Sequence, residues 1–268
     1  MHKNDQMTSN ERLTAYFEGE EVDRLPAMPM VDSFGCKIAG HEMRYKRQSA
    51  ENQVEVQKAC YDLLGLDGLS IEYGLHGIGQ ACGTVLNDPP NATPFIVSHR
   101  MKSLDEVDDL DTECVRRIHD PWMELCCRAC EMLVDQMGEE VGTSAALTGP
   151  LTVAASLYPI GDLLVAMRKQ PDKVRKLLRF STDALKIICD EFAATGVASS
   201  SATLWRQVTS SAPTSTGISS SRSPRNSPRW CTPTTLPWAT TSAVTPTTSP
   251  STCSNRAATC SAWTQRCL

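Results

Sequence analysis

Residues 57–75 read QKACYDLLGLDGLSIEYGL. A helical pattern runs up to Gly65, a residue that accepts the left-handed conformation on which helices stop. LDGLSIEYGL then follows as a short apolar run bounded by glycines, and about four to eight such residues make a buried strand. The strand is expected at 69–72, with Glu72, Tyr73 and His76 at and beyond its end. A helix that delivers its chain straight into a buried strand is the unit of a parallel α/β sheet or barrel.

The helix begins at Ser49 and carries apolar positions at Val54, Ala59, Leu63 and Leu64. Thr8 to Glu18 forms an earlier helix with Thr8 or Ser9 as N-cap, an acidic residue in its first turn and Leu13, Tyr16 and Phe17 on one face. Between the two, EEVDRLPAMPM at 20–30 sets charge ahead of a Pro-punctuated apolar segment suited to a first strand. Downstream, Pro89, Pro90, Asn91 and Pro94 mark a loop or hairpin within 84–99. SLDEVDDL at 103–110 is a capped helical turn, and Pro121 to Gly138 is a long helix. AALTGPLTVAASL at 145–157 runs from strand through a glycine turn into a helix. Two further helices, Gly161 to Arg168 and Pro171 to Thr195, complete the alternation.

After Gly196 the pattern stops. All 31 Asp and Glu of the 268-residue chain precede Ser201, while the residues from 201 on carry 29 Ser or Thr, 7 Pro and 4 of the 5 Trp, with no Lys. The first part is therefore acidic and the tail weakly basic. An acidic first part excludes a nucleic-acid platform, which needs clustered Lys and Arg. MHKNDQMTSNERL contains no apolar signal run, and no stretch of about 18 apolar residues occurs anywhere. The expectation is a soluble cytoplasmic protein without a membrane partner. Twelve scattered Cys in such a chain are reduced thiols by default.

Several residues invite a chemical reading. Glu72, Tyr73 and His76 follow a strand, where barrel enzymes carry their pockets, although Glu72 and His76 are equally read as solvated loop residues. Thr148, Gly149 and Pro150 end another strand and line a pocket or simply turn the chain. CCRAC at 126–130 has metal-like spacing, but on a helix Cys126 and Cys130 share a face with Leu133 and pack as small apolar residues. The five His show no metal spacing among themselves. No metal site is expected in the chain as written.

Five segments, ERLTAYFEGEEVDRLPAMP (11–29), the 57–75 unit, QACG (80–83), SLDEVDDL and TGPLTVAASL (148–157), occur together in an order and spacing that resemble the uroporphyrinogen decarboxylase superfamily. Within it, the chain is most similar to the corrinoid-dependent methyltransferase branch. The resemblance implies a (β/α)8 TIM barrel of the uroporphyrinogen decarboxylase type with its active site at the C-terminal strand ends. Here the barrel is expected to be incomplete over residues 1–200, followed by a disordered or non-native tail at 201–268. The decarboxylase branch works without a cofactor, using an Arg-Gln-Ala-Gly-Arg loop to pair substrate carboxylates, a catalytic Asp after an early strand and a Tyr after the Gly-Pro turn. The matching stretch MVDSFGCKIAG (30–40) lacks both arginines, and the other two positions fall near Gly74 and at Ser156. The methyltransferase branch holds zinc through a late His-x-Cys pair and a distant Cys; a corrinoid protein and a small thiol are its implied partners. No His follows His119.

A one-base shift of reading frame accounts for the tail. Read one base over, written Ser becomes Phe, Leu, Ile or Val, and written Thr becomes Asp, Asn, His or Tyr. Residues 202–222 then permit DPVASGDLISPNQYRDFVEP and residues 237–245 permit MGNHICGD, which contains the missing His-x-Cys. A disordered Ser/Thr/Pro interaction arm on a non-catalytic half-barrel is the other reading, although such arms avoid the Trp and Cys found here. The expected function is methyl transfer in the intact ancestor, with uroporphyrinogen decarboxylase activity as the family-level alternative.

Overall fold

The computed structural model describes residues 4–197, so the expectations for residues 201–268 lie outside the described part. Caps decide where its helices begin. Thr8 caps α1 (Ser9–Glu18) through a complete capping box with Glu11, and Gly19 closes it in the left-handed region at φ 78°. Ser49 caps α3 (Ala50–Leu64), with Gly65 at φ 62° behind it; between them lie the short α2 (Phe34–Ile38) and a 3-10 turn at Tyr45–Arg47. The helix-to-strand unit at 57–75 then delivers β1 (Leu69–Glu72).

After β1 come α4 (Gly77–Ala81) and a hairpin of β2 (Val85–Asn87) and β3 (Phe95–Ser98). The Ser103–Glu106 capping box starts a 3-10 turn over Leu104–Asp109, and another turn covers Thr112–Val115. Asp120, accepting from the backbone of Trp122 and Met123, caps α5 (Pro121–Met137). The chain returns as β4 (Thr143–Ala146), followed by α6 (Pro150–Leu157), α7 (Ile160–Lys169) and α8 (Pro171–Ala194). β4 lies parallel to β1, register Leu69↔Thr143 to Glu72↔Ala146. Helices follow each parallel strand, as in a barrel, and the barrel is incomplete among the described residues.

Burial alternates along both strands. Leu69, Ile71, Thr143 and Ala145 are buried, whereas Ser70, Glu72, Ser144 and Ala146 are half-buried. The buried set belongs with a continuous core that includes Val54, Cys60, Cys126, Cys130, Leu133, Leu157, Leu177 and Ile188. The half-buried set faces the side that a closed barrel turns inward. Among the described residues, no single helix is long and apolar enough to cross a membrane.

Three expectations are corrected. The segment 20–30 forms no strand: Pro26 and Pro29 have no N–H to donate, and it is tied to the sheet margin by the bond from Asp67 N to Ala27 O, 2.9 Å, by that from Ala27 N to Asp67 Oδ2, 2.7 Å, and by the Arg24 guanidinium on Asp67 and Gly65 O. On α3 the inner face is Gln53, Val54, Val56, Cys60 and Tyr61, and Leu63 and Leu64 are exposed. On α1 the face with Tyr16 and Phe17 is outside, and Arg12 is fully buried. Its guanidinium binds Asp23 through Nε (2.7 Å) and Nη2 (2.9 Å), Asp5 (2.9 Å) and Asp67, so three carboxylates offset the loss of water around the charge.

The same helix crosses the starts of both parallel strands. Ser9 Oγ donates to Leu66 O, and Asn10 donates through its backbone N to Glu140 O and through Nδ2 to Gly138 O. One end of the sheet is thus closed by α1, and the other end, where β1 and β4 finish, is left for chemistry.

Candidate active site

Strand alternation puts Glu72 on the inward side at the C-terminal end of β1. Two residues from outside the sheet meet it there. Asp32, the one described non-glycine residue with positive φ (39°), turns the chain after the proline-rich segment. Lys46, in the 3-10 turn before α3, places Nζ 2.6 Å from Asp32 Oδ1 and 3.8 Å from Glu72 Oε2. Asp32 and Glu72 thus stand beside the same lysine, and two neighbouring carboxyls disfavour each other's ionisation. Burial and the bond with Asp32 raise the Glu72 carboxyl to about 7, and Lys46 opposes the rise. Burial also works against ionisation of Asp32, but the hydrogen bonds from Glu72, Lys46 and Ser33 outweigh it and keep its carboxyl well below the ordinary range. Glu72 therefore holds the proton, and it exchanges that proton near neutral pH.

Tyr73 points the other way. It is buried, with its hydroxyl on Asp120 and its carbonyl accepting from Trp122 Nε1 at 2.9 Å, so it ties β1 to the start of α5. His76, at the start of α4, borders a cleft of about 460 Å³ lined also by Ile96, His99, Thr152, Ala155 and Ser156. Burial, then the neighbouring His99, lowers the His76 pKa, and its Nδ1 is buried without a hydrogen-bond partner. His99 Nδ1 lies 3.3 Å from Ser156 O, while Ser156 Oγ is turned inward and donates to Val153 O at 2.7 Å. Thr148, Gly149 and Pro150 form the turn from β4 into α6; all three are half-buried, and a Cβ on Gly149 would meet nothing within 4 Å. The sequence candidates thus divide into Glu72 beside Asp32 and Lys46, His76 in the cleft, the open turn at 148–150, and Tyr73 in the core. Asp32, Lys46 and His99 were missed, and no local pattern announces them.

The zinc-type donor set is not found here. Among the described residues no group of three or more His, Cys, Asp or Glu side chains is arranged to hold a metal ion. Cys126 and Cys130 lie buried on α5, and burial pushes the Cys130 thiol up to about 12, so both are core thiols rather than thiolate ligands.

Comparison with known proteins gives a consistent picture. Methylcobamide:CoM methyltransferase MtaA of Methanosarcina barkeri is 24% identical over 184 residues, covering 67% of this chain and 53% of that protein. The protein of the same description from the Fusaro strain is 23% identical over the same span. The chain thus spans about half the length of the curated relatives it matches. A solved methyltransferase from Methanosarcina mazei superposes with a TM-score of 0.57 at 21% identity, over 72% of this chain and 57% of that one, which establishes likeness of fold. The family model described as uroporphyrinogen decarboxylase (URO-D) matches residues 8–209, and the chain belongs to that family.

Proposed function

We propose that residues 4–197 are the first half of a barrel that moves a methyl group from a methylated corrinoid protein to a small thiol. We further propose that a one-base frameshift within the codons for Ala198–Thr203 has cost the chain its second half, and with it the zinc ligands, so that it is inactive as written. The observation that carries the reading is the grouping at the strand ends: Lys46 Nζ stands between the carboxyls of Asp32 and Glu72. A substrate bearing several carboxylates needs guanidinium partners, and this pair with its single lysine supplies neither a guanidinium nor a net positive charge. A neutral or thiol acceptor needs neither. A carboxyl that titrates near 7 is matched to taking up a thiol proton at neutral pH, and that is the role assigned to Glu72. The names of the similar proteins from Methanosarcina support the same choice.

Zinc does not fit the described residues, and no step is assigned to it in this chain. In the chain with its frame restored, the His-x-Cys permitted by residues 237–245 would supply two donors.

Resequencing across codons 198–203 and expressing the frame-restored chain tests both parts. The restored protein is expected to bind zinc and to transfer methyl from methylcobalamin to a thiol, and the chain as written to do neither. Zinc binding or methyl transfer by the chain as written rules out the frameshift account. Decarboxylation of a porphyrinogen by the restored chain, without thiol methylation, rules out the methyltransferase reading.

A further inference from the structure

Six of the eight described cysteines are buried. The other two face each other: Cys82 Sγ, at the C-cap of α4, lies 3.0 Å from Cys114 Sγ in the Thr112–Val115 turn, across 32 positions of sequence. Both are half-buried, hence within reach of a small reagent. Closing to a covalent S–S bond takes an approach of about 1 Å, within side-chain adjustment.

The backbone holds both thiols in place. On one side Thr84 N donates to Gly79 O at 2.8 Å, and Thr84 Oγ1 donates to Ser156 O at 2.9 Å, anchoring the chain just past Cys82 to α6. On the other, the Asp111 carboxylate accepts from Glu113 N at 2.9 Å and fixes the turn that carries Cys114. The hydrogen bond between the thiols divides their acidity, raising Cys82 and lowering Cys114.

We propose that Cys82 and Cys114 form a dithiol site that reacts with small disulfides and closes to a Cys82–Cys114 disulfide, stapling α4 and its His76 to the 112–115 turn. The Cys114 thiolate attacks one sulfur of the small disulfide, forming a mixed disulfide and expelling one thiolate. The Cys82 thiol then loses its proton to that thiolate or to solvent and attacks Cys114 Sγ, expelling the second thiol. Two protein thiols are oxidised and one small disulfide is reduced to two thiols, so the exchange balances without a further reagent.

The test uses the whole chain and glutathione disulfide, in native buffer and in urea, with acid quenching, alkylation and peptide mapping by mass spectrometry. The linked 82–114 peptide pair is expected natively at a rate at least about tenfold above that in urea, because the fold supplies the proximity. Cys82→Ser is expected to trap glutathione on Cys114. Recovery of both native thiols as alkylated or separately glutathionylated peptides overturns the proposal, as does a link that forms no faster in the folded chain than in the unfolded one. A Cys114 that stays unmodified in Cys82→Ser overturns the assigned nucleophile.

Discussion

The Glu72 carboxyl couples stability to pH in a direction opposite to most acids. Its folded pKa, about 7, lies above its ordinary value, so the folded state keeps a proton that the unfolded chain releases. The Glu72 contribution to stability is therefore greatest below the ordinary carboxyl range and falls as pH rises toward 7, flattening beyond. Urea unfolding of Glu72→Gln at pH 5 and pH 8 is expected to show a smaller fall between the two than the unsubstituted chain; an unchanged fall would mean that Glu72 does not carry the raised pKa. Tyr73→Phe is expected to cost about 1–2 kcal/mol in the same experiment, because the Asp120 carboxylate loses a buried donor while still capping α5. Glu72 could be picked from sequence because strand ends carry barrel pockets. Asp32 and Lys46 could not, since one arrives on a positive-φ turn and the other on a short 3-10 turn, and only tertiary packing joins them. Arg12 was invisible for a similar reason: its three carboxylates come from positions 5, 23 and 67.

Elements were read well where caps or glycines bound them. Thr8, Ser49, Ser103 and Gly65 mark ends that local hydrogen bonding alone determines, and the strand at 69–72 was bounded by glycines in the same way. Helices α2 and α4, five residues each, are shorter than the window in which apolar periodicity shows. The faces of α1 and α3 were misjudged because apolar residues at a helix end need not point inward. The packing of α4 on α6 gives a sharper test. A Cβ on Gly79 would meet Ser156 Oγ at 2.5 Å and Ser156 O at 3.1 Å. Gly79→Ala is therefore expected to push α4 off α6 and to destabilise the fold by about 1–3 kcal/mol, read as a lower urea midpoint. An unaltered midpoint would mean that the two helices can separate freely.

At the scale of the whole molecule, β1 and β4 each have one strand neighbour among the described residues. A strand with an open edge is a template for another chain. Concentration-dependent self-association by light scattering is therefore expected, and a cooperatively melting monomer at high concentration would contradict it. The barrel repeat was legible because each helix-to-strand unit spells itself locally, whereas the ion network that locks its base draws on residues far apart. That lock has a direction. Because α1 sits over the strand starts and depends on Asp5, whose carboxyl Arg24 and Arg12 hold below the ordinary range, and on Asp23, whose carboxyl Arg12 and the Gln6 and Met7 amides hold well below it, it holds at neutral pH and fails as acid protonates them. Acid should then unzip the sheet from the end where its strands begin, so that amide exchange at Leu69 outpaces exchange at Glu72 as the pH falls.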